Sequence, residues 1–560
     1  MRLGNINTQD MRTSLLVMVP ALAFLTVLVL LPLLKLLDVS FTAGGGWSLQ
    51  NYAAISSADV GRASLNSLVL AFAGTSIAMV LGTILAWLAA RTDIPMKSMV
   101  NLAGITPLFF SVMVASVAWS MLASGRAGYL NLALRELGLP FSMEVQSLPG
   151  IAFVLGLYYA PYPFMLMYTS FRLIHPDLEE AAGVHGAGLW DTLRQVTIPL
   201  VLPAFLGSAL LVAALIVEDF PVPQILGGPA GIETLSMRIY KLATQVPPSP
   251  GEASAVSIAL VLVVFMFIFM QRAVLHGGDY QTVTGKGMQP RVLKLGAWRW
   301  PAICFVGLYV LSALILPIAA LVISALRRNL FVRNLADLFD VSSMSFATIS
   351  RTLGNPRILE AATNTLLTAT FAAVIGTALF FVIAVIVYRT EVKGRAMLEY
   401  LAMIPVAIPA LVMGLGILWS WIDSPLNIYG TLAILVVAYV TRFLPQGYRA
   451  IAGSMSQIHR DLESAAQVSG ASRLNVVLYI TFPLMRGGIV ASAILLFVLS
   501  VRELTASLFL YTTNTRVLSI AIYELYETGS WGAVASVSLA YTSVLGLIVL
   551  VTRRWLRGES

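Results

Sequence analysis

The chain has 560 residues, of which 58% are hydrophobic and 11% charged, with a formal net charge of +8. Soluble domains carry about 25% charged residues, so this chain has too few polar side chains to cover soluble cores of its size. The composition excludes a disordered chain, a disulfide scaffold and a nucleic-acid-binding domain, and it predicts an all-α polytopic membrane protein. The positive charge is typical of Lys and Arg concentrated in cytoplasmic loops.

The N-terminal segment and the single cysteine narrow the class further. The apolar run after Arg12 continues past Leu30 without a small-residue cleavage site, which favours a retained membrane helix over a signal peptide. Cys304 stands alone in an apolar run, so the sequence predicts neither a disulfide nor a cysteine-based metal site.

Apolar runs without charged residues predict the membrane-spanning helices, each of which needs about 20 mostly apolar residues. The run after residue 486 is short, because Arg502 and Glu503 interrupt it. Runs of this length lack the alternation of a membrane β-barrel. Twelve transmembrane helices are expected, at 15–34, 63–90, 98–125, 145–171, 195–217, 253–271, 300–326, 361–388, 400–422, 424–441, 487–501 and 528–552.

The distribution of basic residues predicts the orientation. With the N-terminus in the cytoplasm, most of the 35 Lys and Arg residues fall in cytoplasmic loops and tails, and both termini are cytoplasmic. Arg327, Arg328 and Arg333 run against this bias, so the inverted orientation stays open. The glycine-containing stretch 272–299 is the expected cytoplasmic linker between two domains, 1–271 and 300–560.

The two halves repeat one another. Asn66, Arg91–Thr92 and Pro107 recur 298 residues later as Asn364, Arg389–Thr390 and Pro405, and a later set recurs at an offset of 284. Six helices separate the copies, so both have the same orientation and form two parallel six-helix repeats. The pairs at the second offset are His175 and His459, Asp177–Glu179 and Asp461–Glu463, Ala181–Ala182 and Ala465–Ala466, Gly186–Ala187 and Gly470–Ala471, and Pro199 and Pro483.

The loop between the fourth and fifth predicted helices carries the sharpest part of the repeat. It begins with good helix formers around Glu180, and Gly186 can end that helix. Trp190, Leu193 and Val196 give a second short helix an apolar stripe. Loops 172–199 and 449–483 are therefore each predicted to form a projecting pair of short helices. The alternative is an ordinary amphipathic loop on the membrane surface, which the matched spacing of two copies disfavours.

These loops resemble the EAA loop of permease subunits of type I ABC importers. The first loop has Glu180–Ala181–Ala182, then Gly186–Ala187 and Pro199, whereas the second has Ser464 where the family usually has Glu. The resemblance covers nearly the whole chain as two fused permease domains. It implies that each loop is a coupling helix that docks on a separate ATPase. The residues so assigned are Glu179, Glu180, Ala181, Ala182, Gly186, Ala187, Glu463, Ser464, Ala465, Ala466, Gly470 and Ala471.

The resemblance also implies partners and a location. A homodimeric ATP-binding subunit would dock at the cytoplasmic face and carry ATP and Mg²⁺, and a periplasmic substrate-binding protein would dock at the outer face. The chain would lie in the bacterial inner membrane. No G-x-x-x-x-G-K-[ST] motif is present, and the four histidines are scattered, so the sequence predicts neither an enzyme nor a cofactor or firmly assigned metal site in this chain.

Charged residues follow the fifth helix of each half and are candidates for the substrate pathway. Glu218 and Asp219 align with Arg502 and Glu503 at the offset of 284. Charges at membrane depth are costly and often functional. The carboxylates either coordinate a cation near the outer mouth or only fix helix ends, and the sequence favours the second interpretation slightly.

The segments Glu218–Gly228 and Arg502–Leu504 also resemble a subgroup of these permeases that takes up ferric iron. Fe(III) prefers carboxylate oxygens, whereas an anion would use groups such as Arg238, Lys241 and Arg502. Similar permeases serve phosphonates, sugar phosphates, thiamine, polyamines and sulfate, so these substrates stay open. A secondary transporter driven by an ion gradient is the rival. The spans contain no coupling carboxylates, which disfavours it.

Overall fold

The computed structural model of the protein describes residues 18–276, 292–328, 332 and 334–558. Residues 15–17 of the first predicted span and 277–291 of the predicted linker lie outside the described residues, as does Arg333. The predicted all-α architecture is confirmed, with one hairpin of two-residue strands, Thr42–Ala43 and Gly46–Trp47. The α-helices are Met18–Ser40, Ala58–Arg91, Lys97–Ile105, Val112–Ala123, Tyr129–Glu136, Leu148–Tyr159, Pro161–Leu173, Pro176–Val184, Leu189–Thr192, Ile198–Glu218, Leu235–Thr244, Pro250–His276, Arg299–Val310, Leu316–Leu326, Leu335–Leu338, Ala347–Leu353, Pro356–Arg389, Arg395–Met403, Ala410–Trp421, Leu432–Ser456, Arg460–Val468, Arg473–Val476, Phe482–Leu484, Arg486–Val501, Leu518–Glu527 and Trp531–Gly558.

Seven helices in the described part of the chain are long and apolar enough to cross a membrane, or eleven if each of four bent helix pairs counts as one span. The predicted run 424–441 falls on Leu432–Ser456, which is not among the eleven and carries Arg442 and Arg449. The protein is thus a multi-span membrane protein, and the count of twelve stays a prediction.

Two of the predicted spans are broken by a sharp bend, and a third, span 145–171, bends by 45° between Leu148–Tyr159 and Pro161–Leu173. The helices of span 98–125 meet at 97° and those of span 400–422 at 114°. The break follows a 3-10 turn that contains Pro107 in the first case and Pro405 in the second. Proline lacks the amide proton that would continue the helical ladder, so the chain bends there. The recurrence of these prolines in the sequence coincides with a bend that both halves share. The apolar runs alone did not predict this bend.

Two long helices, Ala58–Arg91 and Pro356–Arg389, have 34 residues each and begin and end alike. The side chain of Ser57 or Asn355 accepts a hydrogen bond from a first-turn backbone amide, as N-caps do. Each helix ends at its arginine, because the next residue, Thr92 or Thr390, is extended.

One compact unit consists of Met1–Asn51, Asn355–Tyr523 and Val551–Ser560, and is called the 355–523 unit below. Its N-terminal helix Met18–Ser40 packs on Ala410–Trp421, where a Cβ on Gly416 would come within 2.7 Å of the carbonyl oxygen of Pro32. The unit is centred on Pro356–Arg389, which contacts Leu432–Ser456 and Arg486–Val501.

The other compact unit, the 52–354 unit, consists of Tyr52–Gly354 and Glu524–Leu550. Its long helix packs closely on the bend before Pro161, since a Cβ on Gly82 would lie 2.5 Å from the carbonyl oxygen of Ala160. The segment 296–326 belongs to this unit, where the hydroxyls of Tyr129 and Ser324 lie 2.7 Å apart. The packing units therefore do not follow the predicted boundaries at 271 and 300, because the first helix of each half packs with the core of the other. The domain boundaries themselves stay a prediction.

The last part of the predicted linker packs on the end of the long helix in the 52–354 unit. Leu293 exchanges backbone hydrogen bonds with Arg91 and Asp93, and Asp93 accepts further bonds from the amide of Leu295 and from Arg299. The bond from Leu295, followed by that from Arg299, holds the pKa of the Asp93 carboxyl below its ordinary value.

Candidate docking loops and pathway residues

The first loop folds into two short helices joined at a glycine. Helix Pro176–Val184 ends before Gly186, helix Leu189–Thr192 follows, and a π-turn leads into the membrane helix Ile198–Glu218. Gly186 has a φ of +81°, a left-handed conformation that L side chains rarely adopt. The second loop has the same order, with helices Arg460–Val468 and Arg473–Val476 around Gly470, whose φ is +91°.

The hydrogen bonds at Gly186 define a Schellman cap. The amide of Gly186 donates to the carbonyl of Gly183, and the amide of Ala187 donates to the carbonyl of Ala182, both at 3.0 Å. These two bonds satisfy carbonyls that the end of a helix would otherwise leave unpaired. In the second loop the same bonds join Gly470 to Gln467 and Ala471 to Ala466, again at 3.0 Å.

The cap gives a physical reason for the repeated Ala–Ala and Gly–Ala spacing. The second alanine of the Ala–Ala pair provides the carbonyl that accepts from the amide five residues later. The glycine takes the left-handed position, and the alanine after it provides that amide. A Schellman cap commonly brings the residue that provides this carbonyl and the residue that provides this amide into apolar contact. Ala182 and Ala187 are both half-buried, as are Ala466 and Ala471.

Glu179 and Glu463, which the sequence placed among the coupling residues, are buried beneath these loops. In the 52–354 unit Glu179 forms an ion pair with Arg91 at the end of the long helix, and the hydroxyl of Thr197 donates to the same carboxylate oxygen at 3.1 Å. The side chains of Arg91 and Glu179 are 2% and 6% exposed. Neither carboxylate nor guanidinium therefore lies on the surface of the loop.

The 355–523 unit contains the same arrangement. The Nε atom of Arg389 lies 2.7 Å from Oε1 of Glu463, and the hydroxyl of Thr481 donates to that oxygen at 2.9 Å. Arg389 also donates from Nη2 to the backbone carbonyls of Met455 and Ile458. We call the two sets, Arg91–Glu179–Thr197 and Arg389–Glu463–Thr481, the buried triads.

Each loop also has a surface that is exposed to solvent. Glu180, Ala181 and Gly186 are exposed in the first loop, and their counterparts Ser464, Ala465 and Gly470 are exposed in the second. Large apolar side chains are exposed beside them at three matched positions in the two short helices of each loop. These pairs, all at the offset of 284, are Leu178 and Leu462, Val184 and Val468, and Trp190 and Leu474.

The candidate pathway carboxylates accept hydrogen bonds from nearby backbone amides. Asp219 is buried at the end of Ile198–Glu218, where Oδ1 accepts from the amide of Val222 at 3.0 Å and Oδ2 accepts from the hydroxyl of Tyr159 at 2.8 Å. Glu503 accepts from the amide of Ala506 at 2.8 Å. This geometry supports the helix-end interpretation. Their sequence neighbours Glu218 and Arg502 are half-buried.

The other charged groups considered for substrate binding are paired. Arg238 contacts Asp59 at 3.0 Å and Glu233 at 3.6 Å, and Lys241 contacts Glu233. They line a cavity of about 240 Å³ together with Asn66. Among the described residues, no group of three or more His, Cys, Asp or Glu side chains could hold a metal ion.

Sequence reasoning missed the buried triads, although it singled out their arginines and glutamates separately. The arginines recur at one offset and the glutamates and threonines at another. No rule of local spacing joins a helix end to a loop 88 residues later in the first half and 74 residues later in the second. The available signal was the recurrence of an arginine at the end of an otherwise apolar helix in both halves.

Residues 78–277 and 381–557 match the family described as the binding-protein-dependent transport system inner membrane component. The chain belongs to this family. The match in two segments fits two copies of one permease domain within a single chain.

Several transport permease proteins are similar to this chain in sequence. The ferric transport system permease protein FbpB of Actinobacillus pleuropneumoniae is 27% identical over 442 residues, which make up 78% of this chain and 62% of that protein. The putative ferric transport system permease protein FbpB 1 of Haemophilus influenzae is 26% identical over 398 residues, covering 71% and 62%. The putative 2-aminoethylphosphonate transport system permease protein PhnV of Salmonella paratyphi A is 28% identical over 163 residues, covering 29% and 62%.

This chain thus spans 62% of the length of both ferric transport relatives. Among solved structures, a chain of a bacterial ABC transporter involved in the import of the acidic polysaccharide alginate is 18% identical. That likeness has a TM-score of 0.42 and covers 48% of this chain and 97% of the other. At this score it supports no inference about the chain.

Proposed function

We propose that the chain is the membrane-embedded permease of an ATP-driven ABC importer, with two copies of a type I permease domain fused in one polypeptide. The observation that carries the proposal is the pair of matched loops that present the same apolar positions to solvent. Val184 and Val468 are 85% and 90% exposed, and Trp190 and Leu474 are 71% and 66% exposed. Family membership supports the assignment independently.

The exposed face fits a protein partner with an apolar groove. Clustered apolar side chains with a polar surround are typical of interaction sites, and a short helix that inserts its apolar residues into a groove is a common mode of recognition. The Schellman cap turns the chain sharply after residue 184, so that Val184 and Trp190 lie on either side of the turn. Each loop would dock on one copy of a homodimeric ATP-binding subunit, which would bind ATP and Mg²⁺.

The proposed transport cycle follows from this arrangement. ATP binding would draw the two docked loops together, and rigid helices would convert that movement into a switch of the central pathway from inward-open to outward-open. A periplasmic binding protein would deliver the solute at the outer face. This proposal includes twelve helices in two parallel repeats, a location in the bacterial inner membrane, cytoplasmic termini and no ATP hydrolysis by this chain.

Ferric iron is the proposed cargo, supported by the two ferric transport relatives rather than by the acidic side chains. Asp219 and Glu503 already accept hydrogen bonds in their own turns, so the geometry gives them no separate role in binding iron. A phosphonate, sugar phosphate, thiamine or polyamine is the alternative cargo of the same importer class. A secondary transporter is the alternative mechanism.

The test is ATPase stimulation in lipid vesicles. The chain would be reconstituted with an ATP-hydrolysing subunit and a binding protein from the same gene cluster, loaded with Fe(III) or with 2-aminoethylphosphonate. We expect stimulation by the iron-loaded protein. Stimulation only by the phosphonate-loaded protein would retain the importer and reject iron, and failure of any ATPase to bind the chain would reject the importer.

Variants test the docking face directly. Val184→Asp with Val468→Asp places two charges where the partner groove would be apolar, and we expect the ATPase no longer to co-purify. Val341→Asp is the matched control, because Val341 is also an exposed valine but lies in the loop predicted on the outer side. Equal retention of the ATPase by both variants would contradict the docking face.

A further inference from the structure

Each buried triad connects three segments of the chain within its own unit. In the 52–354 unit, Arg91 comes from the end of the long helix, Glu179 from the first turns of the docking-loop helix, and Thr197 from the turn that begins the next membrane helix. The carboxylate of Glu179 is the common point, since both other side chains bind the same oxygen. The loop helix is therefore bonded to two membrane helices at once.

The second triad repeats this connection with different local support. Glu463 again receives both partners on one oxygen, and Arg389 adds two hydrogen bonds to carbonyls at the end of helix Leu432–Ser456. Carbonyls at a helix C-terminus carry partial negative charge and favour a cation. The docking helix Arg460–Val468 begins only two residues after Ile458, so Arg389 fixes both its start and its first turn.

Stability alone does not explain the triads. A buried ion pair loses solvation on both sides, and replacing it with apolar residues of similar volume is often neutral or stabilising. What the pair adds is direction. In the first triad a charged hydrogen bond from Arg91 to Glu179 fixes the relative position of the two groups, whereas apolar surfaces can slide. In the second, Arg389 is held by its ion pair with Glu463 and by its two hydrogen bonds to backbone carbonyls. The same solution at both loops indicates a requirement for fixed position at both.

We propose that the two buried triads are positioning residues that transmit movement of the docked loops to the long helices Ala58–Arg91 and Pro356–Arg389. This inference rests on the proposed function, because it assumes that an ATPase binds the loops. It assigns to Glu179 and Glu463 a role separate from docking. Glu180 and Ser464 face the partner, and the glutamate directly before each of them passes the partner's movement inward.

The test replaces each ion pair by apolar residues and follows movement of the helices. In one variant Arg91→Met is combined with Glu179→Leu, and in a second Arg389→Met is combined with Glu463→Leu. Spin labels are attached at Gly61→Cys and Glu360→Cys, near the outer start of each long helix, after Cys304→Ser. The distance between the labels is measured with the bound ATPase in ADP and in ATP, Mg²⁺ and vanadate.

In the parent chain we expect the distance distribution to change with the nucleotide. In either apolar variant the ATPase should still bind, and the nucleotide-dependent shift in population should fall by about fivefold or more, the lower end of usual coupling strengths. The thermal stability of each variant should be equal to or higher than that of the parent chain. If the triads only stabilised the fold, such variants would therefore keep the shift intact. An undiminished shift in both variants would overturn the inference while leaving the proposed function standing.

Two further comparisons make the result specific. Asp93→Leu with Arg299→Met removes an ion pair near the same helix end that does not include the loop, and should leave the shift unchanged. Variants of Thr481 serve as the test if a double-apolar chain fails to insert. Thr481→Val removes the hydroxyl and Thr481→Ser keeps it, so the serine variant should retain more of the shift than the valine variant. A shift lost equally in the Asp93 and triad variants would reject the triads as the connection. Failure of the ATPase to bind even the parent chain would instead reject the proposed function.

Discussion

Replacement of Gly186 by alanine isolates the conformational cost of the loop turn. A Cβ at Gly186 would meet no atom within 4 Å, so alanine introduces no collision, but the residue has a φ of +81°. An L-residue in the left-handed region costs about 1–2 kcal/mol. That cost should raise the population of the opened turn about 5- to 30-fold.

Gly183→Ala is the matched control in the same loop. Gly183 also has open space around its missing Cβ, but it lies within helix Pro176–Val184 with a negative φ. Alanine in a helix is favoured over glycine by about 1 kcal/mol, so this change should stabilise the same turn. The two substitutions add the same methyl group three residues apart and are predicted to have opposite effects.

Hydrogen exchange followed by mass spectrometry would measure both effects on the segment containing residues 182–187. In Gly186→Ala, the amides of residues 186 and 187 should exchange faster than in the parent chain, because they donate the two bonds of the cap. In Gly183→Ala, the same amides should exchange no faster than in the parent chain. Equal exchange in the two variants would refute the assignment of the turn to a left-handed glycine. Gly470→Ala should behave as Gly186→Ala does.

Three other changes test separate features. Glu180→Arg should weaken ATPase retention in a pull-down more than Ser464→Arg, since only the first loop has the family's acidic residue, and equal losses would contradict this difference. Gly447→Ala should lower the free energy of unfolding by about 1–3 kcal/mol, because its Cβ would collide with packed side chains, whereas Gly453→Ala, which meets no atom within 4 Å, should not. The Asp93 contact should persist above the ordinary carboxyl pKa of about 3.9 and be lost as the pH falls through the lowered folded value. Exchange of the Leu295 amide, corrected for its intrinsic dependence on pH, would report the loss, and unchanged protection across that pH range would contradict it.

The sequence predicted the loops well because their structure is local. Helix formers, a glycine at the stop position and a proline at the start of the next helix act within a few residues of one another, and two copies supplied an internal comparison. Gly186 and Gly470 accordingly adopt the conformation that the spacing implied. The assignment of the loops to a docking role goes beyond this local geometry and stays a prediction.

Long-range packing was less accessible. Apolar composition shows that a segment is buried in lipid or protein but not which neighbour buries it, so it did not reveal that helix Met18–Ser40 packs with the second half's core. The same limit applies to the broken spans, because a run such as 98–125 stays apolar through its bend. The role of a charged residue is equally ambiguous in the sequence. Asp219 is of a type that binds metal ions, but its carboxylate accepts a hydrogen bond within its own turn.

The two loops share their buried connections but differ at some exposed positions, and this difference bears on how a homodimeric partner could engage them. The buried triads have matching residue types in both loops, and the caps match at both alanines and at the glycine, although Gln467 stands in place of Gly183. These contacts fix the backbone and its connection to the membrane helices. Some exposed positions are identical, such as Val184 and Val468, but others have diverged, with Glu180 against Ser464 and Trp190 against Leu474. Two identical grooves would then receive loops of equal geometry and unequal chemistry. Under the proposed roles, docking strength would differ between the halves while the transmitted movement remained symmetric, because affinity would depend on the exposed face and transmission on the buried triad.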